Sequence, residues 1–403
     1  MVDFFGNVPD IVIDKILEKL PIRMAAQTSV LSKQWRRAWL SLKILVFDSD
    51  FEEHSDLQKC SRIISNILLY HNGPVQVFYL YIPFNKSKDH MSHSQLISFL
   101  SKNGVRDLFI GNDPFSRMDI SSYIFQCNEI ENLKLLCWNL NSPPTDFSGF
   151  PNLRKLELSF VRFKKTNVFR SLIENCKMLK KLKLEKCYGM DHVVIDLPSL
   201  QTLRLSGNFQ SLTFRNVRSL KSITLSLHSI KTLTFDSVTL LASSCQLQYI
   251  SFNGHLCKYF AAGGVERSSL VTFNHLDELC LTDLSLSEFG VLRDLLSMIK
   301  RCPYIKKLII SVITDENVTQ DMIHFNYNYK LDHLRKVNIS GITGSSAELK
   351  LVEHLLAISP VLENMFFDSG KLCIESKLKM LSALLGFPRA SPKARLLFLG
   401  KKL

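Results

Sequence analysis

One short apolar pattern recurs along most of this 403-residue chain and limits the folds that are open to it. In each copy, an apolar residue is followed by a second three positions later and by a third two positions after that. The copies begin at Val105, Ile130, Leu153, Leu179, Leu200, Leu220, Ile230, Leu247, Leu276, Ile305, Leu334 and Leu362. A single short strand cannot bury its own apolar face, so the pattern predicts stacked units that share one continuous core.

The distance between copies indicates which class of repeat they form. Most copies are 20 to 30 residues apart, which is the period of leucine-rich repeats. Amphipathic helices are predicted before three of the strands, over residues 168–175, 288–301 and 347–358. We therefore predict an α/β fold, a leucine-rich-repeat solenoid with a curved parallel sheet and with helices or extended chain on its convex side. Over residues 200–235, where the copies are closer together, we expect strand or extended chain instead of helix on the convex side.

Small residues precede several of these strands at a fixed distance. Cys127, Cys176 and Cys302 each lie three positions before the first apolar residue of a copy, and Ser359 has the same place before Leu362. A thiol or hydroxyl in such a turn can satisfy a buried backbone group, so we interpret these cysteines as structural. The ten cysteines form no Cys-x-x-Cys pair, which favours reduced thiols in the cytoplasm or nucleus over a disulfide framework.

The first forty residues follow another pattern, that of three short helices. Pro9 is placed to open the first helix, Pro21 to end it, and Ser32 to cap the third. Helical spacing gives the first helix one apolar face, formed by Ile13, Ile16, Leu17 and Leu20. A unit this small buries too little surface to be stable alone. The pattern therefore predicts that this segment needs a partner.

The same segment resembles the F-box, especially its plant branch. The similarity rests on Val8-Pro9-Asp10, Ile13, Ile16-Leu17, Leu20-Pro21, Ala25-Ala26, Thr28-Ser29-Val30-Leu31-Ser32 and Trp35-Arg36 with Trp39. Val8 and Val12 depart from the Leu and Glu usual at these positions, without loss of the helix. Further along, residues 331–342, 348–356 and 359–365 resemble the FBD module that closes many plant F-box/leucine-rich-repeat proteins.

The resemblance implies a substrate-receptor subunit of a Skp–cullin–F-box ubiquitin ligase that is not itself an enzyme. The repeats would bind an unknown protein target for ubiquitination. The F-box would bind the Skp-type adaptor, and through it the cullin, by Pro9, Ile13, Leu20, Pro21, Leu31 and Trp35. The segments expected are an F-box at 1–47, a helical linker at 48–74, the repeats at 75–330, FBD-like terminal repeats at 331–370 and a C-terminal cap or tail at 371–403.

Side chains alternate along a strand, so the residues between the inward apolar positions form a column on the other face of the sheet. This column reads Phe109, Lys134, Glu157, Lys183, Arg204, Thr224, Thr234, Ser251, Cys280, Ile309, Asn338 and Phe366. We hypothesise that Lys134, Lys183 and Arg204, with Lys181 beside them, bind an acidic or phosphorylated segment of the target. The alternative is that these cations only keep the face soluble.

Composition and motifs disfavour other classes of function. The net charge of +13 allows a nucleic-acid partner, but no recognition motif for DNA or RNA accompanies it. No apolar run approaches the ~18 residues of a membrane span, and no secretory signal is visible. Dinucleotide, phosphate-loop and Gly-x-Ser-x-Gly motifs are missing, and His90 and His93 have no further ligand at suitable spacing. We expect no cofactor, no metal site and no catalytic residue.

Alternatives to target degradation stay open at this point. One is a scaffold that binds a protein without degrading it, and another is a repeat receptor that requires a small ligand. A nucleic-acid binder is a third, and an enzyme is the least favoured.

Overall fold

The computed structural model describes residues 8–47, 57–81, 92–112, 114, 117–233, 240–262, 272–286, 290–313, 329–368 and 374–399. The chain divides into two compact units, Met1–Asp191 and His192–Leu403.

The first unit begins with a helical cassette, which we define as residues 8–41. Its helices are Asp10–Leu17, Ile22–Gln27 and Lys33–Ala38, with 3-10 turns at Thr28–Val30 and Trp39–Ser41. Pro9 and Pro21 occupy the N-cap positions of the first two helices. The side chain of Ser32 accepts a hydrogen bond from the backbone N–H of Trp35, which confirms the predicted cap of the third helix.

After the cassette, the described residues of the first unit form nine strands. They are β1 (Ile44–Phe47), β2 (Val77–Tyr81), β3 (Asp107–Gly111), β4 (Met118–Asp119), β5 (Asn132–Leu136), β6 (Trp138–Leu140), β7 (Lys155–Ser159), β8 (Arg162–Phe163) and β9 (Lys181–Glu185). β1, β2, β3, β5, β7 and β9 form a parallel sheet in that order, and β4, β6 and β8 form a second parallel sheet. The copies that begin at Val105, Ile130, Leu153 and Leu179 thus each supply one strand, as predicted.

The second unit also contains one larger and one smaller parallel sheet. Its strands are β10 (His192–Ile195), β11 (Thr202–Asn208), β12 (Ser211–Phe214), β13 (Ser222–Ser229), β14 (Thr232–Leu233), β15 (Tyr249–Asn253), β16 (Glu278–Leu284), β17 (Lys307–Val312), β18 (Lys336–Ser340), β19 (Asn364–Asp368) and β20 (Arg395–Phe398). β11, β13 and β15 to β20 form one parallel sheet, and β10, β12 and β14 form another. Over the described residues 200–233, the strands β12 and β14 take the place of helices, as predicted.

The copy that begins at Ile230 does not form a strand of the main sheet, so that prediction is wrong. Thr232–Leu233 is β14, which pairs with β12 in the smaller sheet, while β13 pairs directly with β15. Ten residues from Leu220 to Ile230 are too few for a strand, a turn and a return path. Thr234, predicted for the same face, lies outside the described residues.

Helices precede many of the main-sheet strands. They are Leu57–Tyr70, His93–Lys102, Val168–Ile173, Gly254–Ala262, Val291–Lys300, Ser346–Ile358 and Ile374–Leu385. The three helices predicted near 168, 288 and 347 are confirmed. The helix Ile374–Leu385 and strand β20 lie within 371–403, where we expected a cap or tail.

The predicted turn cysteines are buried and donate back along the chain. Their Sγ–H groups lie 3.8 Å (Cys127), 3.2 Å (Cys176) and 3.4 Å (Cys302) from carbonyl oxygens four residues earlier. Ser391 has the same place before Ala394 and donates to the Leu362 carbonyl at 2.7 Å. Ser359 is fully buried in its turn, but its hydroxyl has no partner among the described residues. The turn position is therefore structural, as predicted.

Candidate functional site

The cassette has an internal core of its own. Ile13, Leu17 and Ala25 are fully buried, and Trp35 is 4% exposed. The side chain of Gln34 ties the third helix to the start of the first, because its Nε2 donates to the Val8 carbonyl at 2.9 Å and to Asp10 at 2.6 Å. The three helices therefore pack as one body.

The predicted adaptor residues separate into two groups in this arrangement. Ile13 and Trp35 lie in the interior, so direct contact with a partner is not open to them, and we assign them to the core that shapes the cassette. Pro9, Pro21 and Leu31 are exposed, and Leu20 is half-buried. These four stay our predicted contact residues.

More apolar side chains lie on the surface of the cassette than sequence reasoning selected. Val30 is 83% exposed and Ile11 67% exposed, although both are large aliphatic residues. The exposed apolar side chains of the cassette are Ile11, Val12, Ile16, Met24, Val30 and Leu31. Exposed large apolar side chains on so short a segment make the cassette a candidate interaction surface. The helical spacing predicted an apolar first helix, but it did not show that Ile16 would face outward.

The second candidate surface is the outward face of β2, β3, β5, β7 and β9. Strand register places Phe109 beside Lys134, Lys134 beside Glu157, and Glu157 beside Lys183. Four predicted column residues therefore do lie next to one another. Arg204 lies on β11 in the other unit, where it is exposed.

Aromatic rings form one end of this face. The rings of Tyr79 and Phe109 stack at 4.2 Å between centroids, and Tyr81 lies 6.2 Å from Phe109 on a nearly parallel plane. The Nζ atom of Lys134 lies 4.6 Å from the centre of the Phe109 ring, within the range of a cation–π contact. We call Tyr79, Tyr81, Phe109 and Lys134 the aromatic shelf.

Gly111 makes the aromatic shelf possible. A Cβ atom at this position would lie 2.7 Å from Tyr81 Cδ2 and 3.2 Å from Phe109 Cζ, closer than ring atoms tolerate. Beside the shelf is an open groove of about 290 Å³, whose other walls include Asp107, Asn132 and Glu157. The alternating tyrosines of Val77–Tyr81 were the only sequence signal for the shelf. The sequence did not show that β2 pairs with β3, which places Tyr79 beside Phe109.

The lysines on this face differ in their partners. Lys183 contacts Glu185 at 2.7 Å, and the hydrogen bond from Lys183 lowers the pKa of that carboxyl. Lys155, which the sequence analysis did not select, contacts Glu157 at 2.8 Å. Lys181 is exposed and has no ion pair within the part of the chain that the structure describes. Of the predicted cations on this face of the first unit, Lys134 and Lys181 form no ion pair within the described residues, so these two are available to an acidic ligand.

The described residues contain little that favours catalysis. Burial raises the pKa of the Cys127, Cys187 and Cys257 thiols to about 12, so they stay protonated at neutral pH. His93 is half-buried beside Trp138, which lowers its pKa, while His90 lies outside the described residues. Among the described residues, no group of His, Cys, Asp and Glu side chains could hold a metal ion, and no helix is both long and apolar enough to cross a membrane.

Comparison with known proteins relates these surfaces to protein families. Residues 5–47 match the F-box domain, and residues 94–238 match the leucine-rich repeats of the FBD-associated F-box protein At5g56370 family. The chain is 30% identical to the F-box/FBD/LRR-repeat protein At1g13570 of Arabidopsis thaliana, over 98% of each chain. It is 24% identical to the F-box/LRR-repeat protein 13 of the same plant, over 99% of this chain and 96% of the relative.

Proposed function

The chain belongs to the plant F-box/FBD/leucine-rich-repeat proteins, and from this premise we propose that it is a substrate-receptor subunit of a Skp–cullin–F-box ubiquitin ligase. The cassette binds a Skp-type adaptor, and the repeats bind a protein target. The role is one of proximity, because holding a target near a loaded ubiquitin donor raises the effective concentration of its lysines. No catalytic step is assigned to this chain.

The observation that carries the proposal is the exposed apolar surface of the cassette, at the residues that match the F-box. Exposed Val30 and Leu31 adjoin the 3-10 turn between the second and third helices, and Met24 lies on the second helix. Burying one large aliphatic side chain contributes about 1.5–3 kcal/mol. Several such side chains, together with Pro9, Leu20 and Pro21, supply enough free energy for a stable complex.

The adaptor contact is tested by placing charge on this surface. Val30→Asp combined with Leu31→Asp is expected to weaken adaptor binding about 100-fold or more, because a buried carboxylate without a partner is strongly unfavourable. The measurement is co-elution and titration calorimetry with a purified Skp-type adaptor. Neither side chain belongs to the core, so circular dichroism should show the fold unchanged.

Leu385→Asp is the matched control, because Leu385 is 74% exposed at the end of the helix Ile374–Leu385. It introduces a carboxylate far along the chain, and adaptor binding should stay at the level of the unmodified protein. Wild-type affinity in the double variant would refute the proposed contact.

For the target, we propose the outward face of the first unit. Within the aromatic shelf Phe109 is buried and Tyr81 is exposed, so Tyr81 offers ring surface, while Lys134 and Lys181 offer cations. An acidic or phosphorylated segment with an apolar side chain fits this combination, because the carboxylate or phosphate binds lysine while the apolar side chain covers the rings.

The groove beside the shelf supports a second candidate function, that of a ligand-dependent receptor. Its volume of about 290 Å³ is at the lower end for sites that hold small molecules. A small ligand that raises the melting temperature of the wild type but not of Phe109→Ala would favour this alternative.

A further inference from the structure

The smaller sheet of the first unit bears a cavity that the proposed function does not use. Its volume is about 750 Å³. The charged side chains in its lining are all cationic, namely Arg117, Arg162, Lys164 and Lys165. Asn139 and Thr166 add polar groups to the wall.

Backbone pairing brings these residues together from distant parts of the sequence. β6 pairs with β8 so that Asn139 lies beside Arg162, and Arg162 forms a parallel bridge with Tyr188. The bridge is fixed by hydrogen bonds from Phe163 N to the Tyr188 carbonyl at 2.8 Å and from Tyr188 N to the Val161 carbonyl at 2.9 Å. These hydrogen bonds hold Arg162, Phe163 and Tyr188, which line the cavity, in register.

Within the described residues, most of this positive charge has no ion-pair partner. Lys164 pairs with Asp119, whose carboxylate also accepts from Asn139 at 3.0 Å, and the hydrogen bond from Lys164 lowers the pKa of Asp119. That carboxylate therefore already has its partners. Arg117, Arg162 and Lys165 form no ion pair within the described residues.

Arg117 is the least exposed of the four cations that line the cavity. Its guanidinium lies 5.2 Å from the centre of the Tyr188 ring, which holds the group in place without using its N–H donors. Its Nε atom is buried and has no hydrogen-bond partner among the described residues. Arg117 also lines the cavity, so an anion there would offset the charge of its guanidinium.

We propose that this cavity binds the phosphoryl groups of a small organic phosphate. Arginine presents donors in a planar fork that matches phosphate oxygens. Two arginines and a lysine facing one space favour a ligand with more than one negative charge. The volume lies within the range of small-molecule sites, which favours a metabolite over a macromolecule. The inference depends neither on the adaptor contact nor on the aromatic shelf.

The test uses the full chain with pyrophosphate as the probe, by titration calorimetry at physiological salt. Arg117→Ala and Arg162→Ala are each expected to lower the affinity about tenfold or more, because each removes charge-assisted hydrogen bonds. Arg218→Ala, which removes an exposed arginine in the second unit, is the matched control and should bind like the wild type. In the wild type, pyrophosphate should also slow hydrogen exchange at residues 162–166 and 188–189.

Other outcomes would overturn the proposal. Equal affinity in the wild type, Arg117→Ala and Arg162→Ala would place the anion elsewhere. Sulfate that binds as tightly as pyrophosphate would show a general anion surface. Tighter binding of a phosphoserine peptide than of pyrophosphate would show that the ligand is a phosphorylated protein and not a small molecule.

Discussion

His354 is an ionisable residue that the fold encloses almost completely. It is 1% exposed within the helix Ser346–Ile358, and its Nε2 lies 3.1 Å from the hydroxyl of Tyr329. Burial lowers the pKa of His354 to about 4, and burial raises the pKa of Tyr329 to about 12. Both side chains are therefore neutral in the folded protein near pH 7.

This burial predicts a loss of stability in mild acid. The unfolded chain takes up the histidine proton near pH 6.5 and the folded chain only near pH 4, so the free energy of unfolding is unaffected above pH 6.5 and falls between these values. The expected fall is about 1.4 kcal/mol per pH unit and about 3 kcal/mol in total. Urea unfolding followed from pH 7.5 to pH 4 measures it.

His354→Gln should flatten this dependence, because the substituted side chain does not titrate. His275→Gln, which changes an exposed histidine, should leave the dependence as in the wild type. An unaltered slope in His354→Gln would show that another group is responsible.

At the scale of elements, β1 determines where the repeat sheet begins. It pairs with β2 from Ile44↔Val77 to Phe47↔Leu80, and the rings of Phe47 and Phe78 are 5.8 Å apart. The Leu42 carbonyl lies 2.9 Å from Nε2 of buried His71, which attaches the preceding residues as well. Residues 42–47, which match the F-box, therefore also cover the edge of the sheet.

Two truncated chains test this role of β1. A chain that begins at residue 42 is expected to stay soluble and monomeric, because β1 still covers β2. A chain that begins at residue 48 exposes the backbone of β2 and the ring of Phe78, and is expected to aggregate. Size-exclusion chromatography with light scattering distinguishes them. Equal behaviour of the two chains would show that β1 does not protect the edge.

At the scale of the whole molecule, the proposed function requires one surface to bind the ligase and another to bind the target. The chain that begins at residue 42 lacks the cassette helices but keeps the repeats. It is expected to bind the target and raise its half-life several-fold in plant cells, because ubiquitin transfer by proximity is lost. Quantitative proteomics after affinity capture, with and without a proteasome inhibitor, measures the effect.

The control for target binding is the same shortened chain with Lys134→Glu and Lys181→Glu, which should capture less of the target. A partner that is captured equally by the full and shortened chains, and whose level no proteasome inhibitor changes, would favour the non-degradative scaffold. Capture unchanged by the two charge reversals would remove the lysines from the target site.

Much of this architecture could be predicted because the spacing of apolar residues within a short stretch indicates which side chains are buried. A strand that hides leucines on one face must repeat them at fixed spacing, so Leu133, Leu156 and Leu182 indicated β5, β7 and β9. The same reasoning failed at Ile230, where the apolar pattern is present but the chain is too short to return to the sheet. The apolar pattern shows which residues are buried. The number of residues between two strands decides whether the second strand can reach the same sheet.

The repeating strands, the helical cassette and the turn cysteines could be read from the amino-acid sequence alone, since each depends on neighbours within a few residues. The packing of the folded chain was needed to show that Ile13 faces inward while Ile16 faces outward, that Tyr81 stacks over Gly111, and that Arg117 lies over Tyr188. The last two contacts join residues whose separation along the chain carries no period. They arise from strand register and packing, which a local pattern does not encode.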